Sequence, residues 1–133
     1  MTLRGISREL LSHGIAHGDI QPTNVIVQSA TQLRLIDYDG LFVPQLAGLQ
    51  STELGQRNFQ HSGRRARHFD ASLDSFAFSL LDLTLHALSR RPELWEQSDS
   101  DADAFILRAA DIADPADSPV FSLLASLPEL EQR

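Results

Sequence analysis

Three side chains carry the oxygen donors and the spacing that a metal-dependent site needs. They are Asp19, Asn24 five residues later and Asp37 thirteen residues after that. Between Asn24 and Asp37 lie two short apolar runs, Val25-Ile26-Val27 and Leu33-Arg34-Leu35-Ile36. The polar stretch 28–32 that separates them reads as a hairpin turn. A hairpin of that size returns its two ends to one place, so Asn24 and Asp37 are expected to emerge side by side. Oxygen ligands paired in this way, with the Asp19 carboxylate one loop away, suit a hard cation such as Mg²⁺.

The stretch HGDIQPTNVIVQSATQLRLIDYDG, residues 17–40, has the form His-x-Asp-x-x-x-x-Asn, a hairpin and then Asp-aromatic. It resembles the catalytic loop and metal-binding segment of the protein-kinase-like fold. Gly18 stands where most eukaryotic protein kinases carry arginine; His-Gly-Asp resembles bacterial kinase-like proteins and small-molecule kinases. The resemblance implies that Asp19 orients or deprotonates an acceptor hydroxyl. It also implies that Asn24 and Asp37 hold Mg²⁺ against the phosphates of ATP. His17, Tyr38 and Asp74 become structural supports, with Asp74 at the head of a central helix binding the loop backbone. The competing reading of Asp74 is a plain helix cap. Asp39 replaces the glycine of Asp-Phe-Gly and is either an additional metal ligand or a turn cap. Gln21 occupies the place of the phosphate-contacting lysine of Ser/Thr kinases, which weakens any assignment to that group.

These residues must be positioned by a largely helical framework. Residues 2–12 read as a helix with Leu3, Ile6, Leu10 and Leu11 on one face and Gly14 placed to end it. Residues 74–88 read as the central helix, apolar nearly all round and therefore buried. The turn-rich segment 41–67 lies where the resembled fold docks its substrate, and Arg64, Arg65 and Arg67 within it read as a solvated loop. After Pro92, Leu94 and Trp95 should pack back as an anchor. Helices are expected over about 102–113, with acids at its positive end, and from Ser118-Pro119 to about Leu127.

The expected fold is mainly α with a small β-hairpin (α+β): the C-terminal lobe of the kinase-like fold, with the N-terminal lobe absent. Residues 1–133 form one partial domain. Its core is 1–91, with the catalytic loop at 17–24 and the metal-binding segment at 37–40, and 92–133 form a supporting helical tail. No Gly-rich phosphate loop occurs, and all eleven basic residues are arginine, so a catalytic lysine would have to come from a further segment or a partner chain. The function implied is the catalytic half of an ATP-dependent phosphotransferase, inactive in isolation, acting on a hydroxyl of a protein or small molecule. A pseudokinase or truncated lobe serving as a binding module is the alternative.

A third reading comes from Asp37-Tyr38-Asp39, which resembles the Asp-x-Asp of haloacid-dehalogenase-type phosphatases. That family needs alternating strands and helices downstream, and the sequence reads there as helices.

Composition bounds the rest. With 42% hydrophobic and 22% charged residues the 133-residue chain is ordinary for a globular protein. A net charge of -7 argues against non-specific nucleic-acid binding. The sequence has no apolar run of membrane-spanning length, no three-part signal peptide and no cysteine, and it reads as cytoplasmic.

Overall fold

The first helix, α1 (Leu3–Ser12), begins where Thr2 accepts a 3.0 Å hydrogen bond from the Gly5 amide. The computed structural model describes residues 2–131; Met1, Gln132 and Arg133, the ends of the expected span, lie outside the described residues. Gly14 closes the helix in the left-handed region (φ +69°), and the Ile15 amide folds back onto the Leu10 carbonyl. Leu3, Ile6 and Leu10 face the core, but Leu11 is 54% exposed. One further residue rotates about 100° around the helix, which carries Leu11 off the face that the other three share. Thr2→Ala should cost about 1 kcal/mol, because the first-turn amide loses its acceptor. Thermal melts followed by circular dichroism should show it as a drop of about 4 °C.

Strands β1 (Val25–Ser29) and β2 (Gln32–Leu35) form an antiparallel hairpin, with Val25 opposite Leu35 and a bulge between Val27 and Ser29. It touches the core through Val25, Leu33 and Leu35, while Ile26 and Val27 are exposed. The long connection that follows is anchored at its start by paired backbone bonds between Ala16 and Phe42, 2.8 and 3.1 Å. Buried Phe59 and Gln60 anchor it further along.

The central helix α2 (Ser75–Arg90) buries Ala77, Phe78, Leu80, Leu81, Thr84 and Ala87. It is not buried all round as its composition suggests: Ser75, Ser79, Leu85 and Ser89 form an exposed flank. Thr84 has no exposure because its hydroxyl bonds the Leu81 carbonyl one turn back, leaving only its methyl to pack. Arg4 of α1 reaches Asp82 of α2 at 3.0 Å, an exposed pair of small energetic weight.

The second half departs most from expectation. Helix α3 (Leu94–Gln97) buries Leu94, whereas Trp95 remains 38% exposed and leans edge-on against Phe105. Residues 100–108 do not extend a helix, and α4 spans only Ala109–Ala113. Asp101 accepts from the amides of Asp103 and Ala104, and Ser100 accepts from that of Ile106, so side chains take the donors a helix would have used. Ile106 adopts φ +65°, and the turn drives Ile106 and Leu107 into the core. Helix α5 (Pro119–Ala125) is capped by Ser118, and Pro128 disfavours helix at Leu127 before opening α6 (Pro128–Glu131). Leu94, Ile106, Leu107, Ile112, Leu124 and Leu127 join Ile6, Ile20 and Leu35 in one core, so the tail and the first half share a single hydrophobic centre. The architecture is α+β, and no described helix is long and apolar enough to cross a membrane.

Candidate functional site

The loop 15–24 hangs between the end of α1 and the start of β1, and buried polar contacts hold it in place. Asp74 lies just before α2, yet its side chain makes no capping bond to its own helix. Its two carboxylate oxygens accept the amides of His17 at 2.5 Å and Gly18 at 2.8 Å, across more than fifty residues of sequence. Burial pushes the Asp74 carboxyl above its ordinary value, against the opposing pull of those two amides.

His17 is fully buried, and its ring makes two bonds that fix its proton. Nε2 lies 2.8 Å from the Ile36 carbonyl, which can only accept, while Nδ1 lies 3.2 Å from the Asp19 amide, which can only donate. The ring is therefore the neutral Nε2–H tautomer, with both nitrogens used as struts. The Tyr38 ring tilts over it at 5.5 Å, and the Tyr38 hydroxyl donates to the Leu35 carbonyl. Gly18 is forced to be glycine: at φ +91° an added Cβ would stand 2.3 Å from the Gly40 carbonyl oxygen.

Asp19 projects from this scaffold, half-buried, and four donor contacts reach its carboxylate. Gln21 Nε2 meets both oxygens at 2.9 Å, the Gln56 amide meets Oδ1 at 2.8 Å, and Asn24 Nδ2 meets Oδ2 at 3.2 Å. Asn24 also donates to the Asp19 carbonyl, and it is buried with its Oδ1 accepting no hydrogen bond among the described residues. The Ile36 amide donates to the Asn24 carbonyl at 3.0 Å, extending the hairpin by one pair. Asp37 thus follows the residue paired with Asn24, in the left-handed region at φ +63°, with an exposed carboxylate that bonds no described residue. Asp39 is exposed as well, and no contact joins it to the others.

Asp19, Asn24 and Asp37 are therefore brought to one edge of the hairpin, with His17 and Asp74 buried behind the loop and the exposed Tyr38 covering His17. Among the described residues no group of three His, Cys, Asp or Glu side chains surrounds a common metal position. The donor set that remains, one amide oxygen and one unpaired carboxylate, fits Mg²⁺ held mainly by water and phosphate oxygens, its usual manner. It does not fit a closed all-protein cage. The Asp37-Tyr38-Asp39 segment sits at the end of an antiparallel hairpin, and no parallel strand occurs among the described residues. The phosphatase reading thus lacks its framework.

Several contributors were not legible as such. Gln56 and Gly55 close over Asp19 from the connection after β2, and the only signal was the turn propensity of Gly55, which adopts φ +81°. Gln21, noticed only as a departure, is the donor to both Asp19 oxygens. The arginine cluster is not uniformly solvated. Arg64 is 9% exposed and bonded to Ser51 and the Arg65 carbonyl, and burial lowers its pKa from the ordinary value while Asp70 and Asp74 oppose through space. Scanned against protein-family models the chain matches none, and a search of curated proteins finds no match.

Proposed function

We propose that this chain is the large-lobe half of an ATP-dependent phosphotransferase of the protein-kinase-like kind. The observation that carries the reading is the meeting of Asp19, Asn24 and Asp37 at one hairpin edge, above a loop bound by Asp74. Asn24 Oδ1 and the Asp37 carboxylate would hold Mg²⁺, which when bound supplies positive charge to the phosphates of ATP. Asp19 orients an acceptor hydroxyl through its carboxylate. The hydroxyl oxygen bonds the γ-phosphorus, the bond to the bridging oxygen breaks with ADP as leaving group, and the hydroxyl proton passes to Asp19 and then to solvent.

Such catalysis consists of positioning and electrostatics, and this sequence contains no lysine to brace the phosphates. These 133 residues alone should therefore turn over ATP at or near background. The three donor groups that make four contacts to the Asp19 carboxylate favour a related second reading, in which the chain binds nucleotide and serves as a module without transfer.

Thermal melts with and without Mg-ATP test the shared premise. At tenfold excess over Kd, wild type should gain about 4 °C. The gain should vanish in Asp37→Ala or with EDTA and survive in Asp19→Ala. Absence of any Mg-dependent gain in wild type would overturn the nucleotide assignment. Transfer that appears when a kinase small lobe is supplied, and disappears in Asp19→Ala, would decide for the enzyme over the module.

A further inference from the structure

The connection 54–65 and helix α4 enclose a cavity of about 370 Å³, within the range of small-ligand sites. Its wall carries Arg57, Arg64 and Arg65 and no carboxylate, in a chain where acids outnumber arginines 18 to 11. Among the described residues none of these three arginines forms a salt bridge. Arg64 is the telling one. Its guanidinium is withdrawn from water, two of its nitrogens are held by Ser51 and the Arg65 carbonyl, and Nε has no hydrogen-bond partner among the described residues. Asp70 and Asp74 act on it only through space and neither lines this cavity, so within the wall the three guanidiniums face no anion and their charge suits a negative ligand. Arg65 is pre-positioned by donating to the Ser62 and Arg64 carbonyls, and the exposed Arg57 stands at the same cavity.

The cavity also adjoins Asp19. Gly55 forms part of its wall, and a Cβ added there would lie 3.1 Å from Asp19 Oδ1 and 2.5 Å from Gln60 Nε2. A ligand anchored among the arginines would thus have the Asp19 carboxylate on the far side of one glycine. Three guanidiniums around one site favour a dianion with several oxygens over a single carboxylate.

We propose that this cavity binds a phosphate monoester, and that the acceptor is a small molecule carrying that group together with the hydroxyl offered to Asp19. The acceptor assignment rests on the phosphotransferase reading; the oxyanion site does not.

Isothermal titration calorimetry of the full chain at fixed ionic strength tests it, with inorganic phosphate and glycerol 3-phosphate as probes. Both should bind saturably, and affinity should fall at least about tenfold in each of Arg57→Gln and Arg65→Gln. Both side chains are exposed, so these variants should keep the wild-type circular dichroism, a safeguard if Arg64→Gln fails to fold. Asp37→Ala should bind the probes as wild type does. No saturable binding, or binding indifferent to both arginine variants, overturns the proposal. Phosphate binding without glycerol 3-phosphate binding overturns the acceptor, leaving a free-phosphate site. If glycerol 3-phosphate binds while Mg-ATP gives no stabilisation, the oxyanion site stands and the phosphotransferase reading is what has failed.

Discussion

Gly18→Ala should remove about 4 kcal/mol or more of stability, a large part of the roughly 5–15 kcal/mol that holds a domain of this size folded. Two costs combine. The left-handed backbone at φ +91° disfavours an L side chain by about 1–2 kcal/mol. The new Cβ would also meet the Gly40 carbonyl oxygen at 2.3 Å and the Gly40 carbonyl carbon at 2.9 Å, and these are backbone atoms that no rotamer change can move aside. Gly48 is the control: it adopts φ +88°, yet nothing lies within 4 Å of its added Cβ. Gly48→Ala should therefore cost only about 1 kcal/mol. Urea melts of the two variants separate strain from collision. Equal losses would mean that the close approach of loop 15–24 to Gly40 is not a constraint on the fold.

Asp74→Ala should cost about 3–5 kcal/mol, because two buried amides lose an ionised acceptor and nothing replaces it. The pH dependence carries the opposite sign from an ordinary carboxylate. Burial raises the folded pKa above the unfolded value of 3.8, so the folded state holds the Asp74 proton more tightly than the unfolded chain. The stability from this titration is fully present below pH 3.8 and is lost as pH rises through the folded pKa. Asp74 is still favourable relative to alanine at neutral pH, since the His17 and Gly18 amides need an acceptor in either case. Asp74→Asn keeps one acceptor oxygen and turns an amide group toward the other donor, so it is destabilised but does not titrate. The stability difference between wild type and Asp74→Asn, measured by urea melts from below pH 3.8 upward, should shrink as pH rises. A difference that grows with pH would mean the two amide bonds outweigh desolvation.

The hairpin was legible because its signal is local: two apolar runs of strand length around a polar turn pair Asn24 with Ile36, next to Asp37, with no help from the rest of the chain. The α2 helix was legible from its apolar content, and the α+β class follows from these two elements. What stayed hidden depends on distant partners. Nothing local marks Arg64 as buried, since its environment is assembled from Ser51, Gln60, Asp70 and Asp74. Nothing local distinguishes an Asp74 that caps α2 from one that reaches the loop 57 residues earlier. Segment 100–108 failed for another reason. Its acids suit a helix start, but Ser100 and Asp101 satisfy the following amides themselves, and that competition is decided by where Ile106 and Leu107 can be buried.

The reach of Asp74 also sets how the loop exchanges with solvent. The His17 and Gly18 amide hydrogens are buried, and they are bonded to a side chain on the far half of the core. They can be released to deuterium only when α2 and the loop separate, an opening that breaks the shared hydrophobic centre. Their protection should equal that of the innermost amides of α2, while hairpin amides near Val27 exchange orders of magnitude sooner. The loop that presents Asp19 would then have no local breathing mode of its own: it is intact for as long as the whole molecule is.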